Sequence, residues 1–199
     1  MNRYHFFKLV LIVITLISLS GCLVIEQVRL QLDLSKRTGK IEYFNIVSAI
    51  EKKDSYWTND DEKNKFFNDL TNMRDKDLKE LVKEYGEFAD DSNKIVTEKK
   101  LIAKNKQLNG IEKFNFSDLK GFDILMNKDS TSYFMKIEND TKYIFSNGTY
   151  FETDSGNYVL WDITTKKIDI KIQQIDLEEE CDYTESMLSY WKEWKRANR

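Results

Sequence analysis

The chain has 199 residues, a formal net charge of −3 at pH 7 and no proline, and 41% of its residues are hydrophobic. This length and composition suit one globular domain with a hydrophobic core. The single histidine is His5, inside a segment that we expect to be removed. Without it, Ser-His-Asp and Cys-His nucleophile systems and His-ligated metal sites are excluded.

The first 22 residues are typical of a secretory signal. Arg3 and Lys8 supply positive charge, and the apolar run from Leu9 to Leu19 is interrupted only by Thr15 and Ser18. Small residues follow and lead to Cys22. A charged start, a short apolar run and a small-residue exit define a signal peptide. The run is too short to cross roughly 30 Å of hydrocarbon as a helix.

The pattern Leu19-Ser20-Gly21-Cys22 resembles the lipobox of bacterial lipoproteins. The resemblance implies cleavage before Cys22, a diacylglyceryl group on its sulfur and a membrane-anchored protein of the cell envelope. Leu23 follows the cysteine, not the Asp that retains enterobacterial lipoproteins in the inner membrane, so the resemblance favours an outer membrane. The alternatives are an ordinary signal peptide with an incidental cysteine, or an uncleaved signal anchor.

We therefore divide the chain into a signal peptide (1–21), a short tether (22–27) and one α+β domain (28–199). Loss of Arg3 and Lys8 with the signal changes the formal net charge from −3 to −5. Such an acidic body has no electrostatic reason to bind nucleic acid. With Cys22 carrying lipid, Cys181 has no intramolecular disulfide partner, and we expect it to be buried.

The domain is predicted to open with a β-hairpin. Apolar and polar residues alternate from Val28 to Asp33 and return from Ile41 to Val47, with a turn at Ser35–Gly39. Two helices are predicted next, between residues 60 and 86, because apolar residues there recur at helical spacing. The short join between them favours a helical hairpin or a kinked pair. Their two apolar stripes are Phe66, Phe67, Leu70 and Met73, then Leu78, Leu81, Val82 and Tyr85.

Strands are predicted again from Ile95. Asn109-Gly110 is typical of a hairpin turn between two of them, and Asp118–Met126 is predicted to form a short helical turn. The fold class predicted is α+β: an antiparallel meander with the helical hairpin and a C-terminal helix packed on it. The later strands are Ser132–Ile137, Lys142–Phe145, Tyr158–Ile163 and Lys167–Gln173, with Thr149–Glu152 too short to assign.

The C-terminal helix is predicted to start at a cap formed by Asp182 and Glu185 and to carry an aromatic stripe. Tyr190, Trp191 and Trp194 could form an interaction face, with nearby cations on lipid headgroups. The alternative, which we favour, is that the stripe packs on the sheet while the cations complement the helix dipole. The whole stripe is Tyr183, Met187, Tyr190, Trp191 and Trp194, and the cations are Lys192, Lys195, Arg196 and Arg199.

No motif points to a catalytic site, a metal or a cofactor. The acidic clusters at 60–62, 90–91 and 178–180 lack the ligand spacing of a calcium loop. The function hypothesis is a non-catalytic envelope lipoprotein that presents a protein-binding or structural surface. A weaker version makes it an accessory subunit of an envelope machine. The alternative is a glycan-binding or glycan-cleaving module with aromatic platforms and a carboxylate pair, for which Trp57 and Trp161 would have to be exposed.

Overall fold

The computed structural model describes residues 22–51 and 94–197. A 3-10 turn spans Lys120–Phe122, and the helices are α1 (Leu177–Glu180) and α2 (Leu188–Ala197). The strands are β1 (Cys22–Asp33), β2 (Thr38–Glu51), β3 (Lys94–Lys104), β4 (Gln107–Phe116), β5 (Leu125–Met126), β6 (Ser132–Ile137), β7 (Lys142–Ser146), β8 (Thr149–Thr153), β9 (Gly156–Asp162), β10 (Lys167–Gln173) and β11 (Cys181–Ser186).

The described strands form two antiparallel sheets. The large sheet has the order β3-β4-β2-β1-β10-β7, and the small sheet has the order β5-β6-β9-β8. The long strand β2 has two neighbours along one edge: β4 pairs with residues 38–43, and β11 pairs with residues 47–51. Strand β11 therefore pairs with β2 beyond the point where the pairing of β2 with β4 ends.

The main core lies between the two sheets. Leu32 and Ile168 from the large sheet and Val159 and Trp161 from the small sheet are each at most 2% exposed. Phe114 stacks on Phe122 of the 3-10 turn, with ring centroids 5.3 Å apart. Alternate residues of each strand point into this layer, as expected when one face of a sheet is buried.

Helix α2 covers one end of the large sheet, and Leu108 in the cluster beneath it lies on the same face of β4 as Phe114 of the main core. Leu23 and Ile25 contact a cluster of Ile46, Leu108 and Met187, and the aromatic residues of α2 pack against the same cluster. Val24, which points to the other face, belongs to a separate cluster with Val47 and Cys181. Cys181 is 7% exposed, so its predicted burial is confirmed.

The first hairpin is confirmed, but its strands are longer than predicted. β1 begins at Cys22, not near Val28, and Cys22 pairs with Ala49, so residues 22–27 belong to a strand and not to a tether. Gly39 lies in β2, outside the turn. A Cβ atom there would lie 2.3 Å from the Phe114 ring, so the glycine makes room for a core aromatic side chain.

The predicted turn at Asn109-Gly110 was wrong. The turn lies at Asn105-Lys106, where both residues have positive φ (54° and 62°), as a two-residue hairpin with type I′ geometry requires. Asn109 lies inside β4, where its side chain accepts the backbone N–H of Asn45 at 2.9 Å and donates to the Lys104 carbonyl. Asn45 has φ of 54° and so needs this support within β2.

The C-terminal helix is shorter than predicted. Residues 181–186 form β11, so Tyr183 lies in a strand, and α2 begins at Leu188. The open edge of β2 explains this, because its backbone groups need hydrogen-bond partners. The short helical turn predicted within 118–126 is confirmed at Lys120–Phe122, whereas Leu125–Met126 form β5. The strands at 132–137 and 167–173 match their predictions.

The fold class needs a correction in its balance of elements. The described part of the chain is mostly antiparallel β-sheet with few helices. Thr149–Glu152, too short to assign from the sequence, lies in strand β8 (Thr149–Thr153), and β9 pairs along all of this strand. The predicted helical hairpin between residues 60 and 86 lies outside the described residues.

Candidate functional site

The outward face of the small sheet carries a row of neighbouring apolar side chains. We call these side chains the outer patch. Leu125, Phe134 and Leu160 are direct cross-strand neighbours in one row. In the next row Phe151 pairs with Tyr158, and their rings stack with centroids 5.6 Å apart.

Strand pleating explains why these side chains face outward. Val159 and Trp161 point into the core. Successive side chains of a strand alternate between its two faces, so Tyr158 and Leu160 point outward. Leu125 is 44% exposed, Phe151 37% and Leu160 36%. Contiguous apolar side chains on a rigid sheet are typical of protein-binding surfaces, whereas single exposed apolar residues are ordinary.

Trp161 does not act as an exposed platform. It is 2% exposed, and its indole N–H donates to the Asn147 side-chain oxygen at 2.9 Å. The same oxygen accepts the Asp169 backbone N–H at 2.9 Å, which ties the small sheet to the large one. Trp57, the other tryptophan proposed for sugar stacking, lies outside the described residues.

A groove of about 550 Å³ opens between the edges of the two sheets. The rings of Tyr143 and Tyr150 stack there with centroids 4.3 Å apart, so each ring covers one face of the other. The Tyr150 hydroxyl donates to Glu152 at 2.8 Å, and this hydrogen bond raises the pKa of Tyr150 above its usual value. The remaining polar lining is Asn139, Asp140, Thr141, Lys142, Asn157, Gln173, Asp176 and Glu179.

The acidic lining of this groove has a structural explanation in part. Asp176 caps α1 by accepting the backbone N–H groups of Glu178 and Glu179. Across residues 22–51 and 94–197, no three His, Cys, Asp or Glu side chains converge in a way that could hold a metal ion. The acidic clusters predicted at 60–62 and 90–91 lie outside those ranges.

The predicted interaction face of the C-terminal helix lies partly against the sheet. Tyr190, Trp191 and Trp194 are half-buried and pack against the Ile46, Leu108 and Met187 cluster. The Tyr190 hydroxyl donates to Glu185 at 2.8 Å, and the Lys195 ammonium lies 4.7 Å from the Trp191 ring centre. An interaction role for these three residues stays a prediction, limited to the ring edges that remain exposed.

Cys22 is the first residue of β1, and its backbone pairs with Ala49 near the middle of the large sheet. A group attached to Cys22 would therefore sit directly at the end of a rigid strand. Among the described helices, none is long and apolar enough to cross a membrane.

The comparisons with known proteins bring no relatives: no family model, no curated protein and no solved structure matches this chain. The prediction from sequence missed the outer patch, although a signal was present. Tyr158-Val159-Leu160-Trp161 is apolar at four successive positions, which indicates a strand with apolar side chains on both faces.

Proposed function

We propose that this protein is a non-catalytic envelope lipoprotein, anchored through Cys22, that binds another protein through the outer patch. The observation that carries the proposal is the continuous row of exposed Leu125, half-buried Phe134 and exposed Leu160 side chains beside the stacked Phe151–Tyr158 pair. Burial of this surface by a partner would gain roughly 25 cal/mol for each Å² of apolar area removed from water.

A photo-reactive amino acid at position 160 tests the binding surface in intact cells. We expect one discrete adduct with a second protein, because Leu160 lies in the middle of the patch. The same amino acid at position 95 is the matched control, since Ile95 is 58% exposed but lies on β3 of the large sheet. Phe151→Ser should remove the adduct at 160. An equal yield from both positions, or a product with lipid alone, would contradict the proposal.

The lipid anchor is tested separately. Mass spectrometry of the purified protein should show a chain that starts at Cys22 with added acyl mass. Cys22→Ala should move the protein from the membrane fraction to the soluble fraction or leave it as an unprocessed precursor. A bare thiol on Cys22 in the purified wild-type protein would refute the anchor without affecting the outer patch.

The groove favours a second candidate, a glycan-binding module. Carboxylates and carboxamides beside tyrosine rings can hydrogen-bond the hydroxyl groups of a sugar. This version predicts that oligosaccharides of N-acetylglucosamine perturb the NMR signals of Asn157 and Glu152, and that Glu152→Gln weakens that effect. Shifts confined to other surfaces would exclude it.

The helical hairpin predicted over residues 60–86 belongs to the same proposal, as an addition to the β-sheet domain. Backbone chemical shifts of the two apolar stripes would test it. Values typical of strands or of irregular chain would contradict the helical assignment.

A further inference from the structure

Helix α2 lies next to Cys22. Leu23 and Ile25, one and three residues along β1, belong to the cluster that α2 covers. A strand rises about 3.3 Å per residue, so these contacts lie within about 10 Å of Cys22 along the strand. Any surface that holds Cys22 is therefore close to α2.

The helix also stays at this end of the sheet. It follows β11, and the Met187 N–H donates to the Ile46 carbonyl. Trp191 and Trp194 pack against the cluster that contains Leu108 of β4, and Leu101 of β3 contacts the same cluster. The turn between these two strands lies at the same end, because β4 continues from Gly110, which pairs with Tyr43, toward Gln107.

Exposed cations collect on the side of this end that α2 covers. Lys192 and Arg196 lie on the helix face opposite the half-buried aromatic side chains, while Lys195 flanks Trp191. Lys104 and Lys106 are exposed at the β3–β4 turn. We call these five residues the basic surface. Glu193 is the one acidic side chain of α2.

The other face at this end has the opposite sign. Glu178 and Glu179 are exposed on α1, beside the cluster of Val47, Ala49 and Cys181 that Val24 joins from β1. Although the chain after the signal has a net charge of −5, its charges are thus unevenly divided around Cys22. An anionic surface held at Cys22 attracts one side and repels the other.

We propose that the basic surface rests on anionic phospholipid headgroups and sets the tilt of the domain on the membrane. This inference depends on the anchor proposed above. Each Lys or Arg near an anionic bilayer adds a favourable electrostatic contribution, and the apolar face of α2 is already used on the sheet, so contact is through headgroups and not through insertion.

The test measures which end of the domain approaches the bilayer. The lipidated protein is reconstituted into vesicles that carry an energy acceptor in the headgroup region. A dye is attached at Ser189→Cys on the exposed face of α2 or, as a control, at Ser35→Cys in the β1–β2 turn. Ser35 follows the far end of β1, and the two ends of this strand, Cys22 and Asp33, are about 36 Å apart at the usual rise per residue.

We expect energy transfer from position 189 to exceed that from position 35 and to be about two-fold higher in vesicles with anionic lipid than in zwitterionic ones. About 0.5 M NaCl should remove the increase, because salt screens exposed charges. Lys192→Glu with Arg196→Glu should also remove it. Lys36→Glu with Lys166→Glu, the same charge change at exposed sites of the far end, should not.

Other results overturn the inference in distinguishable ways. Equal transfer from position 189 in both lipids, with the protein still attached, refutes the electrostatic contact but leaves the anchor intact. Loss of transfer from both positions, with the protein no longer floating with the vesicles, refutes the anchor itself. An increase that survives charge reversal shows that the contact is not made by the basic surface. Unchanged melting temperatures confirm that the charge-reversal variants are folded.

Discussion

The hairpin of β3 and β4 carries the same ionic group twice, once on each face. On the inner face Glu112 lies 2.5 Å from the Lys94 ammonium and 3.9 Å from that of Lys99, and these side chains are 4–11% exposed. On the outer face Glu98 lies 2.5 Å from Lys100 and 2.6 Å from Lys113, with exposures of 33–50%. The composition is identical, so the difference in burial alone decides what each group contributes.

This contrast teaches that the same pattern of charges can contribute very differently to stability on the two faces of a sheet. Water solvates the outer group whether or not its ion pairs form, so these pairs stabilise the fold little. The inner group has lost its water, and each of its charges depends on the others. The same contrast applies to apolar residues in β9, where Val159 is part of the core and Leu160 part of the outer patch.

The largest expected effect comes from breaking the inner group. Glu112→Gln keeps the shape of the side chain but leaves Lys94 buried without a counter-charge, so the free energy of unfolding should fall by about 3 kcal/mol. Urea unfolding followed by circular dichroism measures this loss. Glu98→Gln is the matched control, and its curve should nearly overlay that of the wild type. Equal losses from both substitutions would remove the distinction between the faces.

Adjacent residues of β9 provide the next comparison. Val159→Ala removes two methyl groups from a fully buried site and should lower the free energy of unfolding by about 2 kcal/mol. Leu160→Ala should cost less than about 1 kcal/mol, because the side chain is already partly in water. Partner binding should show the opposite order, with Leu160→Ala the more damaging variant. A binding defect that follows stability in both variants would argue against the outer patch as an interface.

Asp123 tests the effect of partial burial on a carboxylate that lies near another acidic side chain. Desolvation, with the charge of Glu138 second, raises its pKa to about 6 from 3.8. Its folded-state pKa lies above its unfolded value, so the wild type gains stability as the pH falls from about 6 to about 4. Asp123→Asn should therefore stabilise the protein near pH 7, by about 1 kcal/mol or less because the side chain reaches solvent.

The measurement for Asp123 is thermal unfolding at two pH values. The advantage of the Asn variant should disappear near pH 4, where the wild-type carboxyl is protonated in the folded state. Asn also tolerates the positive φ of 52° at this position, so the backbone adds no penalty. Glu138→Gln should give a smaller gain of the same sign, because it removes the lesser cause of the shift. A gain that is independent of pH would show that charge is not the cause.

Local patterns predicted much of the sheet. The alternation of Ile168, Ile170 and Ile172 with polar residues identified β10, and Ser132–Ile137 was equally clear, because pleating imposes a period of two on a half-buried strand. The turn predicted at Asn109-Gly110 was wrong because the chain turns at Asn105-Lys106, where both residues adopt positive φ. Asn109 lies instead in β4, where its side chain accepts a hydrogen bond from the Asn45 backbone. Dipeptide preferences cannot register such a distant hydrogen bond.

The candidate site was harder to predict because it depends on which faces are covered. Burial of Trp161 and exposure of Leu160 follow from the way the small sheet packs, although both residues are apolar and adjacent. The helix predicted from Asp182 became partly a strand because β2 has backbone groups beyond the end of β4 that only another strand can pair.

The sequence by itself determined the signal pattern that ends at Cys22, the lack of histidine after it and the positions of the most regular strands, because each depends on residues close together in the chain. Only the tertiary structure decided that Cys22 begins a central strand, that Glu112 is buried while Glu98 is not, and that an apolar row lies outside the core. The physical reason is that burial belongs to pairs of surfaces brought together from distant parts of the chain, and water is excluded only where two such surfaces meet.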